Sequence, residues 1–139
     1  MDLPKGISTL FRKMQMNLNI RLKDLSLTST KAMFLFCLAE YEHLSQIEIC
    51  RKLDMDKSTV AKMLVRLESD GLITKSTDPD DIRSYIVSLT PKAMELIPQA
   101  RKIQMDWVDE VTANLSDLEK HNFCELVEAV AENANRLCD

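Results

Sequence analysis

A mainly α fold with a small β-hairpin wing, built as a winged helix-turn-helix core between N- and C-terminal helices, is what this sequence predicts. Three observations carry that expectation. The chain has only two glycines and four prolines, which leaves few places for turns and favours long helices. Between Ser45 and Gly71 two short amphipathic stretches follow each other with a tight break at Leu53–Asp56, the pattern of a helix-turn-helix. After Gly71 the period changes from helical to alternating, in two runs, LITKS and YIVSL, separated by a polar loop with Pro79 and three aspartates.

Each element has its own local signal. Ile7, Leu10, Phe11, Met14 and Leu18 recur at spacings of three and four, predicting a first helix from about Pro4 to Lys23. Thr28 is an N-cap for a second helix whose run AMFLFCLA is so uniformly apolar that it should be central, and which His43 should end. Ser45 and Glu48 form a capping box, with Ile49, Cys50 and Leu53 as the inward face of the helix that follows. Asp56 caps the next helix, which buries Val60, Met63, Leu64 and Leu67, and Gly71 supplies its left-handed stop. Thr90 and Pro91 restart a helix that runs through Pro98 to about Asn114. Ser116 and Glu119 box the start of the last one, which carries Val127, Val130, Ala131 and Ala134.

At 139 residues the chain suits one domain, and its 45% hydrophobic and 29% charged residues suit a folded, water-exposed protein. The apolar run Ala32–Ala39 falls far short of the roughly 20 residues that span a bilayer. The N-terminus lacks a signal core, so the expected address is cytoplasmic, with no membrane partner. Cys37, Cys50, Cys124 and Cys138 show no CxxC spacing and read as buried reduced thiols. Two histidines, no Gly-rich phosphate loop and no HExxH spacing argue against an enzyme and imply no cofactor or metal. The net charge of −4 is unevenly spread: residues 93–139 hold four basic and ten acidic side chains, while residues 43–92 are balanced at eight each.

With Val60, Met63, Leu64 and Leu67 turned inward, the helix after Asp56 shows Lys57, Ser58, Thr59, Ala61, Lys62 and Val65 outward. Small Ser58, Thr59 and Ala61 would let its backbone approach base edges in a major groove, and Lys62 could reach guanine acceptors. Lys57 and Arg66 are better placed for phosphates. Arg83, at the hairpin tip, is expected to enter the adjacent minor groove, with Asp81 accepting from its guanidinium and holding it extended.

From about Leu27 to Ala93 the sequence resembles the MarR family of bacterial transcription regulators. The resemblance lies in LTSTKAMFLFCL, then LSQIEICRKLDMDKSTVAKMLVRLESDGLI, then DPDDIRSYIVSLTPKA, in that order. Its most specific part is the wing pattern of Asp, Pro, any residue, Asp, any residue and Arg before a strand ending in Leu-Thr. Three departures stand out: Ile82 where the first of two adjacent arginines is usual, Ala93 where glycine is common, and Lys31 with Ala32 in place of a Gln-aromatic pair. The resemblance implies residues 27–90 as the DNA-binding core and 1–26 with 91–139 as dimerisation helices. It further implies a homodimer, with Trp107, Val127, Val130 and the first helix's apolar stripe in the seam, on a pseudo-palindromic operator in double-stranded DNA. Release of a repressed operator by a small aromatic or phenolic effector, or by thiol oxidation, is also implied, with the effector pocket expected to include Met14, Phe34 and Met94. The rival reading is a winged-helix protein-interaction module without DNA binding, which the acidic total and Ile82 both suit.

Overall fold

The computed structural model describes residues 2–138. Its contacts group into two compact units, residues 1–104 and 105–139. The helices are α1 (Leu3–Arg21), α2 (Ser29–Tyr41), α3 (Gln46–Leu53), α4 (Lys57–Ser69), α5 (Pro91–Val111) and α6 (Asp117–Cys138), and the strands are β1 (Leu44–Ser45), β2 (Ile73–Asp78) and β3 (Asp81–Leu89). The result is a mostly helical winged-helix architecture with one three-stranded antiparallel sheet in the order β1-β3-β2. Among the described residues, no helix is long and apolar enough to cross a membrane.

Caps fix most of the boundaries. Asp2 accepts from the Lys5 N–H at 2.9 Å to open α1, and a single 3-10 turn, Lys23–Leu25, follows it. Thr28 caps α2 by accepting from the Lys31 N–H at 3.2 Å. The capping box at α3 is reciprocal, with the Glu48 N–H to Ser45 Oγ and the Ser45 N–H to Glu48 Oε1 both at 3.2 Å. Thr90 opens α5 by accepting from the Ala93 N–H at 3.3 Å. In the second unit Ser116 and Glu119 box the start of α6 at 2.9 and 3.1 Å.

Two element boundaries depart from the sequence expectation. His43 does not end α2, which stops at Tyr41; Glu42 and His43 follow with φ of 43° and 50°, and this left-handed pair turns the chain into β1. That strand carries no sequence signal, because two residues give no alternation to read, yet Leu44 pairs with Val87 and Ser45 with Ile86. Ser45 therefore ends a strand and caps a helix at once.

The core of the first unit lies between α2, α3, α4 and one face of the sheet. Phe34, Leu35, Ile49, Val60, Leu67, Ile73 and Val87 have essentially no exposed surface. Burial of side chains this size stabilises by roughly 1.5–3 kcal/mol each, which makes this cluster the main support of α3, α4 and the sheet. In the second unit α6 has no buried residue, and Leu118, Leu126, Val127 and Val130 stand exposed. Trp107, expected in a seam between subunits, is instead buried within the single chain, which removes it as an exposed anchor.

The end of α4 is a Schellman motif. The Leu72 N–H bonds to the Leu67 carbonyl at 2.9 Å and the Gly71 N–H to the Glu68 carbonyl at 3.0 Å, which requires Gly71 to sit at φ 73°. A Cβ at Gly71 would meet nothing closer than Lys92 Nζ at 4.0 Å, so the demand is conformational rather than steric. Gly71→Ala is therefore expected to lower the unfolding free energy by about 1 kcal/mol. Urea denaturation checks this, and an unchanged midpoint would mean that the junction tolerates another backbone geometry.

Candidate nucleic-acid interface

Asp56 sets the start of α4 with both carboxylate oxygens. Oδ1 accepts from the Thr59 N–H and Oδ2 from the Thr59 hydroxyl, each at 2.8 Å. Hydrogen bonds from the Thr59 backbone and then from its hydroxyl hold the Asp56 carboxyl below its ordinary pKa, so the cap stays ionised at the positive end of the helix. With its hydroxyl proton given to Asp56, Thr59 keeps its methyl and lone pairs for an outside contact. Gln46 Nε2 reaches the Lys57 carbonyl at 3.5 Å, linking the starts of α3 and α4.

The outward face of α4 follows the helical period. Lys57, Ser58, Thr59, Lys62, Val65 and Arg66 are exposed, Ala61 and Met63 are half-buried, and Val60, Leu64 and Leu67 are buried. Lysines at one end, small hydroxyls between them and an arginine two turns on form a cationic, sterically open strip.

The wing is the hairpin of β2 and β3. Its tip is held by two side-chain-to-backbone bonds, the Asp80 N–H to Asp78 Oδ1 at 2.9 Å and the Arg83 N–H to Asp81 Oδ1 at 3.0 Å. Asp81 thus grips the main chain of Arg83 and not its guanidinium, contrary to the fork expected from the sequence. A carboxylate two residues earlier on the same strand reaches a backbone amide more readily than the end of a long side chain. Arg83 is exposed, as are Ile82 and Tyr85, and Lys75 on β2 sits 5.7 Å from the Tyr85 ring.

Wing and helix are joined at Asp70–Gly71–Leu72. The Thr90 hydroxyl donates to the Gly71 carbonyl at 2.7 Å and the Thr90 N–H to the Leu72 carbonyl at 3.1 Å. Lys92 Nζ donates to the Asp70 carbonyl at 2.8 Å, and Lys31 of α2 pairs with the Asp70 carboxylate at 2.7 Å. Lys75 of β2 also lies 3.9 Å from Glu68 of α4. Lys31 and Lys92 thus have structural roles here that a reading of exposed cations alone passes over.

The three residues expected to line an effector pocket are not brought together. Met94 lines a mostly apolar cleft of about 380 Å³ with Leu38, Ala39, Leu89, Ile97 and Pro98, and Glu42, His43 and Ser88 add polar groups to its lining. Phe34 is wholly buried in the core, and Met14, half-buried on α1, is not among the lining residues. His43 Nδ1 and Ser88 Oγ, both in that lining, lie 2.9 Å apart. Sequence reasoning missed His43 here because its place depends on the left-handed turn after α2. Of the thiols, Cys37 is buried, with its pKa raised by desolvation and then by Glu40, and Cys50 is half-buried. Cys124 and Cys138 are exposed, contrary to the buried reading. Among the described residues no group of three or more His, Cys, Asp and Glu side chains could hold a metal ion.

Comparison with known proteins agrees with this geometry. The chain is 27% identical over 96 residues to the HTH-type transcriptional regulator YdgJ of Bacillus subtilis (strain 168), a match covering 69% of this chain and 58% of that protein. It is 26% identical over 98 residues to the HTH-type transcriptional regulator BilQ of Clostridioides difficile (strain CD3), covering 70% and 66%. The matches thus span less than two thirds of the length of either relative. The crystal structure of a MarR transcriptional regulator from Methanosarcina mazei Go1 superposes with a TM-score of 0.91 at 27% identity, covering 96% of each chain. Residues 27–85 match the model of the MarR family, a span that holds α2, α3, α4 and most of the wing. By that domain match and by the likeness of nearly the whole chain to a MarR structure, the chain is similar to the MarR family.

Proposed function

We propose that this protein is a sequence-specific regulator of transcription that binds double-stranded DNA as a homodimer, placing α4 in the major groove and the wing in the minor groove. The observation that carries this reading is the pairing, within one compact unit, of the open cationic strip of α4 with a wing tip bearing exposed Arg83. Lys62 with Ser58, Thr59 and Ala61 addresses base edges, Lys57 and Arg66 address phosphates, and Arg83, positioned by Asp81, addresses the minor groove. The relatives' names, transcriptional regulators of the helix-turn-helix type, support the same reading.

A homodimer accounts for the unpartnered helices. Leu3, Ile7, Leu10 and Phe11 of α1 and Leu118, Leu126, Val127 and Val130 of α6 are exposed in the single chain. A helix of this length without a buried side chain draws little stability from its own propensity, so a second copy covering α6 is the simplest source of support. Two subunits also supply two reading heads, as a pseudo-palindromic operator requires.

Repression relieved by a small aromatic or phenolic molecule fits the cleft beside Met94. Its apolar walls would take a ring, and His43 with Ser88 would orient a carboxylate or hydroxyl. A simple phenolic acid is expected to raise the melting temperature and weaken operator binding, and Ala39→Phe, which fills the cleft, to abolish both effects. A phenolic series that moves neither quantity would leave the cleft without this role.

The DNA reading is tested by selecting bound duplexes from a random pool and measuring affinity against salt. Lys62→Ala is expected to relax base discrimination at one position by about 1–3 kcal/mol, and Arg66→Ala to weaken all sequences alike while reducing the salt slope by about 1 per subunit. Absence of duplex binding at low salt would favour the protein-interaction module instead.

A further inference from the structure

Ile82 is 85% exposed at the wing tip, whereas Ile86 and Val87 on the same strand are half-buried and buried. The hairpin has no packing use for it. The register shows how it is displayed: Thr77 pairs with Tyr85, but the next β2 residue, Asp78, pairs with Asp81, so Ile82, Arg83 and Ser84 have no Cα partner in β2. Such a bulge aims side chains away from the ladder. The segment is nevertheless held on both sides, by the Asp78 bond to the Asp80 amide and the Asp81 bond to the Arg83 amide. Turn chemistry here requires the aspartates and Pro79; a β-branched apolar side chain contributes nothing to it.

A fixed tip with one apolar and one cationic side chain on adjacent residues has a physical counterpart in the minor groove. The narrow groove concentrates negative potential that attracts a guanidinium, while its sugar walls and the edges of unstacked base steps are apolar. We propose that Ile82 is an apolar wedge in the minor groove, pressing against a base step beside Arg83, so that the protein selects sites partly by how easily that step deforms. This rests on the DNA-binding reading above and adds a determinant of specificity to it. Flexible pyrimidine–purine steps such as TA would yield to the wedge, and a stiff A-tract would resist it.

The test compares wild type, Ile82→Ala and Ile82→Arg on two duplexes taken from the selection, identical except for a TA step or an A-tract step under the wing. Melting temperatures provide the folding control, and the exposure of Ile82 means they should match. Wild type is expected to prefer the TA duplex by about tenfold, a discrimination within the usual range for one position. Ile82→Ala should lose that preference yet bind random duplex DNA as before with the same salt slope. Ile82→Arg should also lose it, and should steepen the salt dependence by about 0.9 per added phosphate contact. A wild-type protein that binds duplex DNA together with an Ile82→Ala variant that keeps the full preference overturns the wedge alone. A wild type that binds no duplex at low salt overturns the DNA reading and the wedge with it.

Discussion

The junction at Asp70–Gly71–Leu72 is the constraint on which the proposed reading surface depends. Only those three residues separate α4 from β2, so the direction of the wing is set by the left-handed turn at Gly71 and by what holds it. Three elements hold it: α2 through Lys31 on the Asp70 carboxylate, the end of β3 through Thr90 on Gly71 and Leu72, and the start of α5 through Lys92 on the Asp70 carbonyl. Each bond occupies a backbone or carboxylate group that an abrupt helix end would otherwise leave exposed. Helix and wing are thereby coupled, and a shift of α2 or α5 would be felt at the wing without any change inside the hairpin. The cleft beside Met94 lies between the same two helices and the end of β3, so the proposed effector would press on the elements that hold the junction.

The same bonds bear on the acidic balance. A net charge of −4 runs against the proposed approach to a polyanion. Yet the carboxylates nearest the reading face serve the fold: Asp56 caps α4, Asp78 and Asp81 fix the tip, Asp70 pairs with Lys31, and Glu68 lies near Lys75. Each spends part of its field on an amide or an ammonium, while Lys57, Lys62, Arg66 and Arg83 project outward. Total charge is a weaker guide to partners than which charges are engaged.

Much of this was legible in the residues. Helix starts were clear because caps are local: Thr28, Ser45 with Glu48, Asp56 and Thr90 each act within three residues of sequence. The stop at Gly71 and the outward face of α4 followed from backbone freedom and helical period. What was hidden needed partners distant in sequence. β1 is visible only against β3, and the roles of Lys31 and Lys92 come from the junction they meet at. The expected pocket failed for a related reason: periodicity groups Met14, Phe34 and Met94 as apolar, but only the packed structure shows that Phe34 is committed to the core.

If α6 is covered by a second copy and each copy reads with both α4 and a wing, the pattern on DNA is strongly constrained. Hydroxyl-radical footprinting of the complex on a selected duplex tests that most directly. Two equivalent protected segments are predicted, their centres about one helical turn apart, each flanked on its outer side by protection across a minor groove. A single unpaired segment, or two without the flanking minor-groove protection, would contradict the account.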